Sequence, residues 1–176
     1  MKKTILLVAL AFGMFSANAQ DGIEKGTILV EANTGNAMIG TTSFSFASSD
    51  GSTEYSLGLD GGYFIAENLA LKAGLGYQGF NPDQGENFSA FSYRLGAKYY
   101  LANQFPITLD LTGASGDGAE NFIGETPLWL GLGGGYAWFI TDSISIEPGL
   151  RYNFSLNEDF SEEGIFQLNI GFALYF

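Results

Sequence analysis

The chain has 176 residues, with 7 basic and 19 acidic side chains and neither histidine nor cysteine. This length suits a single domain, the lack of cysteine excludes disulfide staples and thiolate chemistry, and the lack of histidine removes the side chain that most often acts as a general acid or base near neutral pH. The acidic balance also disfavours nucleic acid, because phosphate is bound by basic surfaces.

The first segment has the layout of an export signal. Two lysines follow the initial methionine, an apolar stretch covers 5–15, and small residues at 17–19 form a cleavage site. The apolar stretch is shorter than the ~20 residues of a membrane-spanning helix. We therefore predict a cleaved signal peptide at 1–19 and one mature barrel domain at 20–176. The mature domain keeps five basic against 19 acidic residues, a net charge of −14.

Hydrophobic residues of the mature domain recur with a period of two, which is the pattern of half-buried strands. In eight successive segments of about ten residues, the length of a tilted membrane strand, one alternate set is apolar and the other is small or polar. Leu29, in the first segment, departs from this rule. The predicted strands are 26–35, 53–64, 69–79, 89–101, 106–113, 127–140, 144–154 and 165–176.

The connections between these strands differ in length by parity. Those after the second, fourth and sixth strands are short, at 66–68, 102–104 and 141–143, whereas the others are longer and rich in Gly, Ser, Asp and Glu. Short turns at one end and long loops at the other are typical of outer-membrane barrels. The pattern predicts an all-β fold, an eight-stranded antiparallel up-and-down transmembrane β-barrel with periplasmic turns.

Charged residues of the central strand segments fall in the polar set. We expect this set to face a narrow, filled lumen, where each charge needs a partner because an unpaired buried charge is costly. The predicted lumen charge network is Glu31, Asp60, Lys72, Arg94, Lys98, Asp110, Glu147 and Arg151. Glycines of the same set are interpreted as making room beside large neighbours such as Trp129, Tyr100 and Phe139. These glycines include Gly74, Gly76, Gly131, Gly133 and Gly135.

Aromatic residues of the apolar set gather near the strand ends, where rings form girdles at the two membrane interfaces. A soluble lipocalin-like barrel, with its apolar set inside, is the alternative interpretation of the same alternation. The predicted interface aromatics are Tyr55, Tyr63, Tyr77, Phe91, Tyr99, Trp138, Tyr152 and Phe154.

Two stretches resemble a known family. Residues 61–71 have the pattern strand, short turn, strand, and the last strand ends in phenylalanine with apolar residues at alternate positions before it. On these residues the chain resembles the small outer-membrane β-barrel proteins of the OmpA/OmpX type, in particular the porin-like "outer membrane protein beta-barrel domain" proteins of Bacteroidota. The resemblance implies a Gram-negative outer-membrane location and a C-terminal signal recognised by the barrel-insertion machinery. This signal comprises Leu168, Ile170, Phe172, Leu174 and Phe176.

The composition argues against catalysis. We predict that the protein is not an enzyme and holds no catalytic, cofactor or metal site, because histidine is absent and the four lumen carboxylates match four lumen basic side chains. The acidic stretches at 82–85 and 117–120 lack the ligand spacing of a calcium loop.

Three functional hypotheses follow. The first is a structural or surface-interaction protein whose acidic loops could recruit divalent cations or cationic partners. The second is a narrow channel or small-solute transporter, and the third is a soluble exported ligand carrier. Outer-membrane lipid and the insertion machinery are the expected partners, nucleic acid is not, and the oligomeric state is left open. The loop acids are Asp50, Glu54, Asp83, Glu86, Asp117, Glu120, Glu125, Glu158, Asp159, Glu162 and Glu163.

Overall fold

A computed structural model describes residues 22–35, 42, 44–116 and 126–176, so the predicted signal peptide lies outside the described residues. Within these ranges no helix is long and apolar enough to cross a membrane. The described strands are β1 (Ile28–Asn33), β2 (Phe44–Ser49), β3 (Ser52–Ala66), β4 (Leu69–Asn81), β5 (Phe88–Leu101), β6 (Phe105–Ser115), β7 (Leu128–Gly135), β8 (Trp138–Thr141), β9 (Ile144–Ser155) and β10 (Ile165–Tyr175).

These segments form one closed antiparallel barrel. The hydrogen-bonded order runs β1-β10-β9-β7-β6-β5-β4-β3, and pairing of β1 with β3 closes the ring. Two barrel strands are each built from two segments, because β1 and β2 both pair with β3, and β7 and β8 both pair with β9. The predicted eight-stranded up-and-down barrel is therefore confirmed.

The first barrel strand is longer than predicted and is interrupted. Glu31 pairs with Asp60 on β3, yet the next described pair along β3 is Phe44 with Leu57, so ten residues at 34–43 are inserted into the strand. Of this insertion the structure describes 34, 35 and 42. The chain then turns at Asp50 and Gly51, whose positive φ angles of 49° and 80° suit a tight hairpin. The predicted first loop thus contains β2.

The sixth barrel strand was predicted to be continuous, and this was wrong at 136–137. Pro148 on β9 accepts a bond from Tyr136 N at 3.0 Å, but proline has no N–H to return to the Tyr136 carbonyl. The Ala137 amide instead donates to Gln104 O at 2.7 Å, in the neighbouring turn. One proline therefore separates β7 from β8.

Short turns and both ends of the described chain meet at one end of the barrel, called the turn end here, and the opposite end is the loop end. At the turn end Asn68 adopts a φ of 62° and ties down the segment before β1. Its side-chain oxygen accepts from Ile23 N, and its own N–H donates to Ile23 O, both at 2.9 Å. Residues 22–27 are thereby held against the turn end.

Burial alternates along the strands, with the apolar set outside and the polar set in the lumen. On β4, Leu71 and Leu75 are 51% and 60% exposed, whereas Lys72 is 5% exposed. Leu29 is fully buried because it faces the lumen, which explains its departure from the pattern. The apolar-inside arrangement of a lipocalin-like barrel is the opposite of the one observed.

Candidate functional site

The eight residues of the predicted charge network all lie on the lumen face, and six strands contribute them. None of the eight is more than 6% exposed. Four are basic and four are acidic, so the set carries no net formal charge. The barrel wall brings them within contact distance of one another, although they span 121 positions from Glu31 to Arg151.

One end of the network is formed by arginines. Arg151 donates from Nη1 to Asp110 Oδ2 at 2.7 Å and from Nη2 to Asp110 Oδ1 at 2.6 Å. This two-pronged geometry is among the strongest that a charged pair can adopt. Asp110 Oδ1 also lies 3.6 Å from Arg94 Nε, and Arg94 Nη1 donates to Asp60 Oδ2 at 2.7 Å. Asp110 and Arg94 each therefore have two oppositely charged neighbours.

Lysines continue the network toward the other end. Asp60 and Glu31 are directly opposite on β3 and β1, where like charges repel. Lys72 Nζ offsets this repulsion by lying 3.2 Å from Asp60 Oδ2 and 2.9 Å from Glu31 Oε2. Lys98 donates to Glu31 Oε2 at 2.8 Å and also bonds Glu147. The ion pairs thus run in a single alternating file from Arg151 to Glu147.

Hydroxyl groups complete the Glu147 end, and sequence reasoning missed them. Glu147 Oε1 accepts from Tyr100 OH at 2.7 Å and from Ser145 Oγ and Tyr175 OH, both at 2.9 Å. With Lys98 on the other oxygen, the carboxylate has four donors. The available signal was that two tyrosines, rather than phenylalanines, occupied polar-set positions; a buried tyrosine usually finds a hydrogen-bond partner.

Two of the five named lumen glycines make room for network side chains, and none of the five lies closest to an aromatic ring, which corrects the interpretation of the sequence. A Cβ added at Gly74 would overlap the Asp60 carboxylate, and one added at Gly131 would overlap the Arg151 guanidinium. Similarly, the Ser92 hydroxyl occupies the space where a side chain at Gly76 would lie. Gly74 and Gly131 therefore let charged side chains lie directly against the backbone, where a larger residue would displace them.

The turn end of the lumen is closed by an apolar layer, called the lumen floor here. Tyr100 and Tyr175 lie 6.3 Å apart between ring centroids, and Phe64 stacks on Tyr100 at 6.1 Å. Phe139 packs on Tyr175 at 5.5 Å. The floor consists of Ile23, Leu29, Phe64, Ala70, Tyr100, Ala137, Phe139, Ala173 and Tyr175.

A cavity of about 40 Å³ lies beside the charge network, against the glycine-rich wall of β7 and β9. Gly133, Gly135, Gly149 and Thr108 line one side, and network side chains line the other. A volume of this size holds a few water molecules at most. The lumen is therefore a filled core with a small polar cavity. Among the described residues, no group of three or more acidic side chains could hold a metal ion.

The eight predicted interface aromatics all lie on the outer face. Tyr63, Tyr99 and Trp138 are 50%, 44% and 55% exposed near the turn end, and the other five lie toward the loop end. At the loop end each of three tyrosine rings lies over a glycine: Tyr55 over Gly79, Tyr93 over Gly113 and Tyr152 over Gly164. Such ring-on-glycine packing covers backbone that glycine leaves bare.

The predicted C-terminal signal lies on the outer face of β10 and directly after it. Leu168 is 75% exposed and Phe176 is 72% exposed, with Ile170 and Phe172 between them. Phe176 also exchanges backbone hydrogen bonds with Ile28, at 2.8 and 3.0 Å. Whether the insertion machinery recognises these residues stays a prediction.

The predicted loop acids within the described residues all lie at the loop end. Most are exposed, and Glu54 is half-buried. Asp117, Glu120 and Glu125, with the stretch 117–120, lie outside the described residues.

Comparison with known proteins bears on the fold. No family model matches this chain, and no curated protein matches it. Among solved structures it is similar to the N-terminal β-barrel domain of Pseudomonas aeruginosa OprF, with a TM-score of 0.51 and 14% sequence identity over 89% of this chain and 100% of that domain. At this identity the likeness extends to architecture alone. The chain is thus a small closed β-barrel with the architecture of the OprF domain, and its link to Bacteroidota proteins stays a prediction.

Proposed function

We propose that this protein is an integral β-barrel of a bacterial outer membrane, with a structural and surface-interaction role and no catalytic activity. The observation that carries the proposal is the outer face. In the described strands none of the outward-facing residues is charged, and leucine, isoleucine and aromatic side chains dominate all eight barrel strands. Soluble monomers rarely expose apolar patches larger than a few hundred Å², and a lipid-facing Arg or Lys at mid-membrane would cost about 2–4 kcal/mol.

The proposal is tested by cell fractionation followed by gel electrophoresis of boiled and unboiled samples. We expect the protein in the detergent-extracted outer-membrane fraction, with faster migration before boiling because a closed barrel resists detergent. Recovery from the soluble periplasmic fraction, without a mobility shift, would contradict membrane integration.

The surface-interaction role rests on the loop end. All eight described loop acids lie there, and no connection at that end contains Lys or Arg in the sequence. A surface on which all charged side chains are negative attracts cations and repels anionic molecules. Replacing Glu158, Asp159, Glu162 and Glu163 by their amides should reduce binding of Ca²⁺ or of a cationic peptide to whole cells. Unchanged binding at equal surface levels would exclude the recruiting role.

A narrow channel is the second candidate, and the cavity beside the network is the observation that favours it. A path would have to pass the lumen floor, whose rings close the turn end. We therefore expect no conductance from the purified barrel in planar bilayers. Reproducible channels that disappear in the Gly131→Leu, Gly133→Leu double variant would instead establish a conducting lumen.

A further inference from the structure

Trp129 has an unusual environment for its position. It is the first lumen-facing residue of β7, which begins at Leu128 at the loop end, where a side chain would ordinarily meet solvent. Its exposure is nevertheless 0%. A ring from outside the barrel wall lies against it.

The connection between β9 and β10, residues 156–164, provides this ring. The Phe160 ring meets Trp129 edge-on, with centroids 5.8 Å apart and planes at 88°. Asn157 holds the connection in place, since its Nδ2 donates to Thr126 O at 3.0 Å and its O accepts from Phe160 N at 3.2 Å. The first bond ties the connection to the segment just before Trp129, and the second lies within the connection.

The same connection carries a concentrated negative charge. Glu158, Asp159, Glu162 and Glu163 fall within six positions and are exposed. No Lys or Arg occurs in any connection at the loop end. Repulsion among exposed charges acts over about 30 Å at 0.01 M salt but only about 8 Å at 0.15 M. Repulsion among the acidic side chains at the loop end therefore opposes the packing of Phe160 on Trp129, and this repulsion is strongest at low salt.

Among the described residues, two buried polar atoms in the loop-end half of the lumen lack hydrogen-bond partners. On the lumen face between the charge network and the loop end, Gln78 Oε1 and Ser92 Oγ are buried without a hydrogen-bond partner in the described part of the chain. Buried groups in this state favour hydration. If the connection at 156–164 moved away, water would gain bonds in this part of the lumen.

We propose that residues 156–164 form a lid over the loop-end mouth of the lumen, closed by Phe160 against Trp129 and opened by electrostatic repulsion when salt is low. The lid separates the polar outer part of the lumen from the medium. Its charge makes closure dependent on counter-ions, so the mouth of the barrel responds to ionic conditions. This inference requires the barrel fold alone and not the proposed membrane location.

The test uses intrinsic fluorescence, because the chain has two tryptophans. Trp138→Phe, a conservative change on the outer face, leaves Trp129 as the single reporter. The folded variant in detergent is titrated with acrylamide, a neutral quencher, at 0.15 M and 0.01 M salt. We expect strong protection at 0.15 M salt and greater quenching at 0.01 M.

Four further variants in the Trp138→Phe background separate the parts of the proposal. Phe160→Ala should raise the quenching constant of Trp129 by roughly two- to tenfold, the range that loss of one aromatic pair allows. Asn157→Ala should act in the same direction. Phe154→Ala, which removes an equal ring from the outer face of β9, should have no effect. Amides at the four lid acids should abolish the salt dependence and keep the protection.

Boiled and unboiled gel mobility selects the variants that are folded. Ready quenching of Trp129 in the Trp138→Phe parent at 0.15 M salt would overturn the lid. So would a Phe160→Ala variant and an Asn157→Ala variant that both match Phe154→Ala. Quenching that is equal at the two salt concentrations would overturn the electrostatic opening.

Discussion

The lumen floor and the charge network occupy the same narrow lumen but are stabilised differently. The floor is built from rings and aliphatic side chains that need only volume and shape, and such packing tolerates substitutions of similar size. The network is built from charges that each need an oppositely charged neighbour, and loss of one neighbour leaves the other buried and unpaired. Two layers of one core should therefore differ sharply in how they respond to mutation.

The largest effect is expected in the network. Asp110→Asn keeps the side-chain shape but removes the charge that binds Arg151 and Arg94. We expect the free energy of unfolding to fall by about 3–5 kcal/mol, the usual cost of breaking a buried pair. Urea unfolding in lipid vesicles measures this change. Glu86→Gln, an exposed loop acid, is the matched control and should change stability by less than about 0.5 kcal/mol.

A smaller effect is expected from Gly131→Ala, because the new methyl group would displace the guanidinium of Arg151 from Asp110. Overpacking of this kind typically costs about 1–3 kcal/mol. Gly134 lies on the outer face of the same strand, where the nearest neighbour of an added Cβ, the Pro106 carbonyl oxygen, is 4.0 Å away, so Gly134→Ala is the control. The same unfolding measurement on both variants should separate them, and equal stabilities would mean that clearance for Arg151 is not limiting.

The boundary between the two layers should give a still smaller change. Tyr175→Phe removes a hydroxyl that donates to Glu147 at 2.9 Å but leaves Tyr100 and Ser145 on the same oxygen. We expect a loss of about 1–2 kcal/mol. Tyr63→Phe, on the outer face, should be neutral in the same assay. A neutral Tyr175→Phe would mean that the remaining donors fully satisfy the carboxylate.

The floor itself should be the most tolerant layer. Leu29→Met keeps an apolar side chain of nearly the same volume in this fully buried position. We expect less than about 1.5 kcal/mol of destabilisation, as for most conservative core exchanges. A loss as large as that of Asp110→Asn would remove the distinction between the two layers.

Much of the fold follows from local pattern, because a period of two assigns each residue to one face whatever its neighbours are. This is why the eight charged members of the lumen set could be predicted. The order of pairing could not. Asp60 lies opposite Glu31 only because of the register between β1 and β3, and register depends on how the whole ring closes.

Two other differences between the predicted and the observed strands arose from interactions between neighbouring strands. In the alternation of its own strand, Pro148 is an ordinary outward-facing residue. Because it has no N–H to donate to Tyr136, it interrupts the neighbouring strand between β7 and β8. Likewise, β2 is a serine-rich segment that resembles a loop until its pairing with β3 is known. The residue pattern along one strand does not show which backbone hydrogen-bond donors and acceptors the neighbouring strand supplies.

Closure of the ring has a consequence for how the chain must assemble. Leu29 pairs with Tyr175, so the first and last strands are partners separated by almost the whole chain. Contacts between residues so far apart in the sequence form late, and they make folding slow. Until β10 is in place, the growing sheet carries two open edges that can pair with other chains. We therefore expect the barrel to lose both open edges in one final step, and a chain that lacks β10 to aggregate rather than fold in part.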